Sequence, residues 1–303
     1  MKHSKIRGQA TRGQTRSNIT QMSGQTPNRT RKNELGFTLI EIMIALAIAG
    51  ILLVSIYNLY ISQSRTYTVQ EQVSDMQQNA RVAMDMISRD IRMAGFGQPS
   101  WTTINGTSGI TYKGINVTDG GTGNPDTLSI VGCIDPPPGK LGSAAAANST
   151  TITLQSSDEA NKFNITTKSD IFIGELENAK VTGISGAVLT IDTNPVQTGN
   201  QGTTNAFPVG TNVYLVKRVT YTIDSTSLKR NENAGGGNDE VAVNVEDLQV
   251  DDTDYPPIIK LSITARTRNK DPNYTGDGYH RMKLPYDKND PEKKMAIIAR
   301  NLE

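Results

Sequence analysis

Hydrophobic and polar positions change pattern three times along the chain. Residues 1–36 mix Gln, Thr, Asn, Arg and Gly with almost no aliphatic side chains. Phe37–Ile61 (FTLIEIMIALAIAGILLVSIYNLYI) is apolar all round, and Ile42–Val54 holds only apolar residues and Gly. From Val69 the apolar residues narrow to one stripe: Val69, Val73, Met76, Ala80, Ala83, Ile87, Ile91 and Ala94. Steps of three and four are those of one helix face. No Pro occurs between Phe37 and Gln98, and Gly95, Gly97 and Pro99 supply a stop. The pattern predicts one helix over about 37–94. Its first part, 37–61, suits lipid, and its second, 62–94, suits one face of a globular head. Arg81–Asp85 and Asp85–Arg89 are spaced to pair across one turn.

Beyond Pro99 the period falls to two. Ile259, Leu261, Ile263 and Ala265 alternate with polar residues, as do Val213, Leu215, Val219, Tyr221 and Ile223. Val241, Val243 and Val245 alternate as well, and the phase then shifts to Leu248 and Val250, which predicts a bulge or helical turn at Glu246–Asp247. Shorter strands are expected at Thr127–Val131, Thr151–Leu154, Asp170–Gly174, Lys180–Ile184, Ala187–Asp192 and Met295–Arg300. Turns fall at Asp119–Gly121, Gly183–Gly186 and Asn233–Asp239, and Pro136–Thr150 reads as a loop. No internal repeat is visible. The fold class expected is α+β, a long helix packed on a mainly antiparallel β-rich head over 95–303.

Charge explains why the helix stands where it does. A formal net charge of +1 conceals a basic arm (Lys2, Lys5, Arg7, Arg12, Arg16, Arg29, Arg31 and Lys32 against Glu34) on an acidic body. The arm is too polar to offset chain entropy and is expected to be disordered. It lacks interleaved aromatic residues for stacking on bases, so nucleic acid is not an expected partner. Met22 is an alternative start that would leave a shorter basic leader. Phe37–Ile61 as a helix spans roughly 37 Å, more than the ~30 Å of a hydrocarbon core. Eight basic residues precede it, none lies between Phe37 and Ser64, and only Arg65 follows before Arg81, which places the N-terminus in the cytoplasm and the head outside. Glu41 interrupts the apolar run, and a carboxylate there calls for a positive partner. An ordinary secretory signal, cut at Ala45-Leu46-Ala47 or Ala47-Ile48-Ala49, competes with this reading. Apolar sequence continuing past both sites argues against it.

Gly36-Phe37-Thr38-Leu39-Ile40-Glu41, after a basic leader and before an apolar helix, resembles the type IV prepilin signature. The resemblance implies cleavage after Gly36 by a prepilin peptidase and N-methylation of Phe37. It further implies an assembly contact between Glu41 and the Phe37 amine of a neighbouring subunit. Arg89–Phe96, Val219–Ile223, Leu228–Arg230, Val245–Val250 and the closing Ala299-Arg300-Asn301-Leu302 resemble PilW-type minor pilins and the related J-type minor pseudopilins of type II secretion. PilW heads often carry paired cysteines, whereas this chain has only Cys133. The chain is large for a J-type pseudopilin. These likenesses imply a minor pilin that helps start or tip a type IV pilus. Its implied partners are other minor and major pilins and an inner-membrane assembly platform. Its expected location is the inner membrane, single-pass with a periplasmic head, and then the pilus or cell surface. A J-type pseudopilin and a membrane-anchored adhesin are the alternatives.

Chemistry-bearing residues are few. The sequence is 36% hydrophobic and 20% charged, enough for a packed core. One cysteine excludes an internal disulfide, and His3 and His280 are the only histidines. His280, in a Gly-, Tyr- and Asp-rich loop, is expected to be solvated, and Cys133 to be a buried small hydrophobe. The Gly120–Gly123 and Gly235–Gly237 clusters lack the strand–helix setting of a phosphate loop and read as turns. Asp251, Asp252 and Asp254 are weak calcium-ligand candidates without EF-hand spacing, better explained as an acidic turn. No enzyme activity and no cofactor are expected.

Overall fold

The computed structural model describes residues 36–101, 114–232, 237–254, 258–285 and 294–298. It contains two compact units, Met1–Leu59 and Tyr60–Glu303. Helix α1 covers Leu39–Arg92, a little shorter than the periodicity predicts, because Met93–Gly97 close it as turns. In the first unit its side chains are exposed on every side. Among the described residues it is the one helix long and apolar enough to cross a membrane.

In the second unit the predicted stripe is the buried face. Met76, Ala80, Ala83, Ile87, Ile91 and Ala94 are buried, and Val69 and Val73 half-buried. The face is wider than predicted, since Met84, Ser88 and Asp90 are buried too. Asp85 forms neither expected ion pair among the described residues; Arg89 turns instead to Asp90 at 3.4 Å.

Among the described residues fifteen strands follow: β1 (Ile115–Thr118), β2 (Thr127–Gly132), β3 (Gly139–Lys140), β4 (Thr151–Thr153), β5 (Asp170–Ile173), β6 (Glu177–Ser185), β7 (Val188–Asp192), β8 (Asn212–Leu215), β9 (Lys217–Asp224), β10 (Ser227–Asn231), β11 (Asn238–Val243), β12 (Val245–Asp251), β13 (Ile258–Arg266), β14 (Arg281–Leu284) and β15 (Met295–Ile298). A short helix α2 (Ser157–Ala160) is capped by Ser156, whose hydroxyl accepts from Glu159 N. One sheet has the order β1-β2-β9-β10-β11, and a second has β12-β13-β14 with β15 also on β13. Both share one core with α1, where Ile87 and Ile91 lie in a cluster with Leu128, Tyr221, Leu248 and Leu261. The third sheet has the order β3-β8-β5-β6-β7-β4 and a core of its own. All described pairings are antiparallel, so the fold is the expected α+β arrangement of a long N-terminal helix and a β-rich, pilin-like head.

Local departures have local causes. Val241, Val243 and Val245 do not line one strand face. Val241 is the extra residue of a bulge opposite Leu228 and Lys229, so Ala242 is buried and Val243 is 39% exposed. Asn244, at φ 59°, then turns the chain into a different sheet. The expected phase shift near Glu246 is a register shift between Val245 and Asp247. The turn expected at Gly183–Gly186 tightens to Gly186 at φ 59°, and β6 runs through Gly183. The loop expected at Pro136–Thr150 contains β3. Residues 1–35 and most of the Asn233–Asp239 turn lie outside the described residues, as do the closing residues 299–302.

Candidate functional site

The first turn of α1 is built as a reciprocal cap. Thr38 precedes the helix and Glu41 is its third residue. Thr38 N donates to Glu41 Oε2 at 2.9 Å and Thr38 Oγ1 to the same oxygen at 3.0 Å. Glu41 N donates back to Thr38 Oγ1 at 3.3 Å. This satisfies helix-terminal donors that would otherwise lack partners in a lipid setting. A carboxylate also suits the positive end of the helix dipole.

Sequence reasoning placed Glu41 opposite a cation, and within one chain it meets backbone and hydroxyl donors. Both recorded bonds use Oε2. Among the described residues Oε1 accepts none, so the cap and an external cation do not compete for one oxygen. Phe37, which precedes α1, is 83% exposed and lines one groove with Glu41, Ala45 and Ala49, which recur every four residues along the helix. With Gly36 attached, the Phe37 nitrogen is an amide. Cutting after Gly36 would turn it into an ammonium beside that groove.

A second polar constellation, in the head, was not foreseen. Asp90 is fully buried on α1, with Tyr221 Oη donating to its Oδ2 at 2.5 Å and Arg230 Nε at 3.0 Å. Arg230 Nη1 also reaches Glu232 Oε1 at 2.5 Å, and Lys217 Nζ bridges Glu232 at 2.7 Å and Asp135 at 2.5 Å. Burial and the adjacent Asp90 carboxylate push the Tyr221 phenol up. Burial opposes charge on Glu232, yet hydrogen bonds from Lys217 and Arg230 outweigh it and hold the carboxyl below its ordinary value. Every charged member has an opposite partner. The arrangement fastens α1 to β9 and β10 rather than holding a reactive group. Asp90, Tyr221 and Arg230 stood in the sequence patches already singled out; the available signal was an acid on the flank of an apolar stripe.

The weak metal candidates are not gathered into a ligand set. Asp251 Oδ1 accepts from Thr253 N and Oγ1 at 3.1 and 2.7 Å, and Asp254 pairs with Lys260. Asp252 is exposed. Among the described residues no three His, Cys, Asp or Glu converge as a metal site. Cys133 is buried, and burial pushes its thiol up. His280 is not simply solvated. It is half-buried, its Nε2 lies 3.1 Å from Asp271 Oδ2, and its ring packs on Tyr274 with centroids 4.1 Å apart.

Residues 31–57 match a protein family described as the prokaryotic N-terminal methylation motif. No curated protein and no solved structure matches the chain. The matched segment contains Gly36, Phe37 and Glu41 and runs into the exposed apolar half of α1. It supports a type IV pilin-like or pseudopilin-like structural subunit, made with a prepilin-like leader and fitted for anchoring in an inner membrane.

Proposed function

We propose that the chain is a minor pilin that helps initiate or tip a type IV pilus. The observation that carries this reading is the methylation motif leading into an exposed apolar helix with one acid, Glu41, in its first turn. In the proposed mechanism the basic leader holds the N-terminus in the cytoplasm. Prepilin peptidase cuts after Gly36 and the new Phe37 amine is methylated. Glu41 keeps its cap through Oε2 and offers Oε1 to the Phe37 ammonium of a neighbouring pilin. Pairing makes the buried carboxylate tolerable and sets the axial step between subunits. The remainder of Phe37–Ile61 packs in the filament core, delivered by the assembly platform, and the head contacts other minor and major pilins.

Processing is tested by mass spectrometry of the mature protein, which should begin at N-methyl-Phe37. Gly36→Glu should leave precursor of full length in the membrane. A mature terminus near Gly50 would replace this reading with an ordinary secretory signal. The filament assignment is tested by imaging a deletion strain: surface filaments should be lost or sparse. Normal filaments with defective protein secretion would assign the chain to a secretion pseudopilus.

A further inference from the structure

The third sheet is a closed object. Beyond the six paired strands, Leu141 and Leu154 form an antiparallel bridge. Gly142 N donates to Thr153 O at 2.8 Å and Gln155 N to Lys140 O at 3.0 Å, so the ends of β3 and β4 are joined. The sheet thus returns on itself through this bridge as a six-stranded antiparallel barrel. Its interior is filled by Leu141, Ile152, Leu154, Ile171, Leu189 and Ile191, among others. Phe163 and Phe207 belong to the same cluster. None of its members belongs to the core that α1 shares with the other two sheets.

The barrel interrupts a hairpin. Strands β2 and β9 are direct antiparallel neighbours, and their last pair is Gly132 with Lys217. Everything between that pair, residues 133–216, leaves the β2–β9 ladder at one point and returns at the same point. Closely placed termini and a private core are the marks of a domain inserted at a loop tip. At about 80 residues the segment is long enough to fold alone. Among the described residues its seat on the scaffold includes Phe96, packed edge-on against Phe172 and Tyr214, with Val131, Cys133 and Val216 in the same cluster. Asn178 Nδ2 donates to Gly97 O at 2.6 Å and Trp101 Nε1 to Asp170 Oδ1 at 2.6 Å.

We propose that residues 136–216 are an inserted barrel domain that folds as its own cooperative unit, and that the scaffold of α1 and the other two sheets, which keeps Ile134 in its core and Asp135 on Lys217, is complete without it. The chain therefore divides its labour. Membrane insertion, processing and head–helix packing belong to the scaffold, and the barrel is an exchangeable attachment. This inference stands whether or not the protein enters a pilus.

Hydrogen exchange read by mass spectrometry on the full chain in detergent micelles tests it. Leu189→Ala should lower protection at least tenfold within residues 139–215 and leave peptides from β9, β10, β12 and β13 within about threefold of wild type. Leu261→Ala should do the reverse. Should Leu189→Ala prevent the chain from accumulating, Ile191→Val poses the same question with a smaller cavity. Loss of protection spread equally over barrel and scaffold would overturn the separate-unit claim. A chain in which Asn-Gly replaces residues 136–216 should keep slow exchange in β13 and insert into membranes. Collapse of β13 protection in that chain would overturn the claim that the scaffold is complete.

Discussion

The hydroxyl of Tyr221 donates to the buried carboxylate of Asp90 across 131 residues of sequence, at 2.5 Å. That bond joins the last turns of α1 to the centre of a sheet whose neighbours β2 and β10 are paired to β9 on either side. Arg230, one strand over, supplies the countercharge at 3.0 Å. A buried acid on an apolar face is costly unless partnered, so the contact fixes one rotational setting of the helix against the sheet.

Asp90→Ala removes the acceptor of two buried hydrogen bonds, from Tyr221 Oη and Arg230 Nε, while Glu232 remains as a partner of the guanidinium. Losing two hydrogen bonds to a charged group costs about 3–6 kcal/mol. The melting temperature should fall by roughly 10 °C for a head of this size. Tyr221→Phe removes one hydrogen bond to a charged group and should cost only about 1.5–3 kcal/mol. Denaturant titration of both variants and the double mutant gives the coupling. A neutral Asp90→Ala would show that the cluster contributes nothing to stability, and additive costs would show that Asp90 and Tyr221 act independently.

The same cluster sets a pH window. Glu232 has its folded carboxyl below the ordinary 4.5, so its stabilisation is full above that value and is lost as pH falls through the lowered one. Asp271 and Asp277 are lowered as well, by backbone and His280 contacts and by Arg281 respectively, and act in the same direction. The Tyr221 phenol is raised from 10.0 by burial and by Asp90, so alkali ionises the unfolded chain first and stability falls above that pH. Thermal unfolding should therefore show a plateau between about pH 4.5 and 10 with losses on both sides. Glu232→Gln should make the acid limb shallower; an unchanged limb would assign the loss to other carboxylates.

Gly97 and Gly121 form a matched comparison. Both have positive φ, 70° and 80°. A Cβ on Gly97 would lie 2.7 Å from Cys133 Sγ and 2.7 Å from the Phe172 ring, whereas one on Gly121 meets nothing within 4 Å. Gly121→Ala should cost about 1–2 kcal/mol of backbone strain alone. Gly97→Ala adds overpacking worth about 1–3 kcal/mol and should also raise the reactivity of Cys133 toward a thiol reagent, by loosening its cover. Equal costs for the two variants would mean the junction yields freely.

How far the sequence revealed this molecule depended on the range of the signal. The α1 stripe from Met76 to Ala94 and the alternation of Ile259–Ala265 are periodic within one element, so burial could be read from spacing alone. Strand β14 spans only Arg281–Leu284, too short to show a period, and β3 spans two residues. Barrel closure depends on Leu141 meeting Leu154, which no local pattern encodes. Asp90 escaped for a related reason: an acid beside a stripe resembles a solvated flank until Tyr221 and Arg230 arrive from distant strands. The methylation motif was legible because Gly36, Phe37 and Glu41 stand within six residues between a basic leader and an apolar run. Its cap was not drawn from the sequence, although Thr38 and Glu41 have the three-residue spacing such a cap requires.

That cap makes Glu41 separable into two roles. If the carboxylate serves only to close the first turn of α1, glutamine should replace it, because an amide oxygen can accept from Thr38 N and Oγ1 just as well. If its charge meets the Phe37 ammonium of a neighbouring subunit, glutamine should fail as valine does. We expect Glu41→Gln and Glu41→Val both to insert into the membrane and to be cut after Gly36, since neither makes the helix less apolar. Both should then be poorly incorporated, with the number of sheared filaments falling toward that of a deletion. Thr38→Val removes the hydroxyl but keeps the charge and the backbone donor. It should cost about 1 kcal/mol of cap and leave incorporation near wild type. Immunoblots of sheared filaments, normalised to mature protein in the membrane, measure all three. Wild-type incorporation of Glu41→Gln beside a defective Glu41→Val would reduce Glu41 to a helix cap. Normal incorporation of both would remove it as an assembly contact and favour an anchored adhesin, in which the helix serves only to hold the head at the membrane.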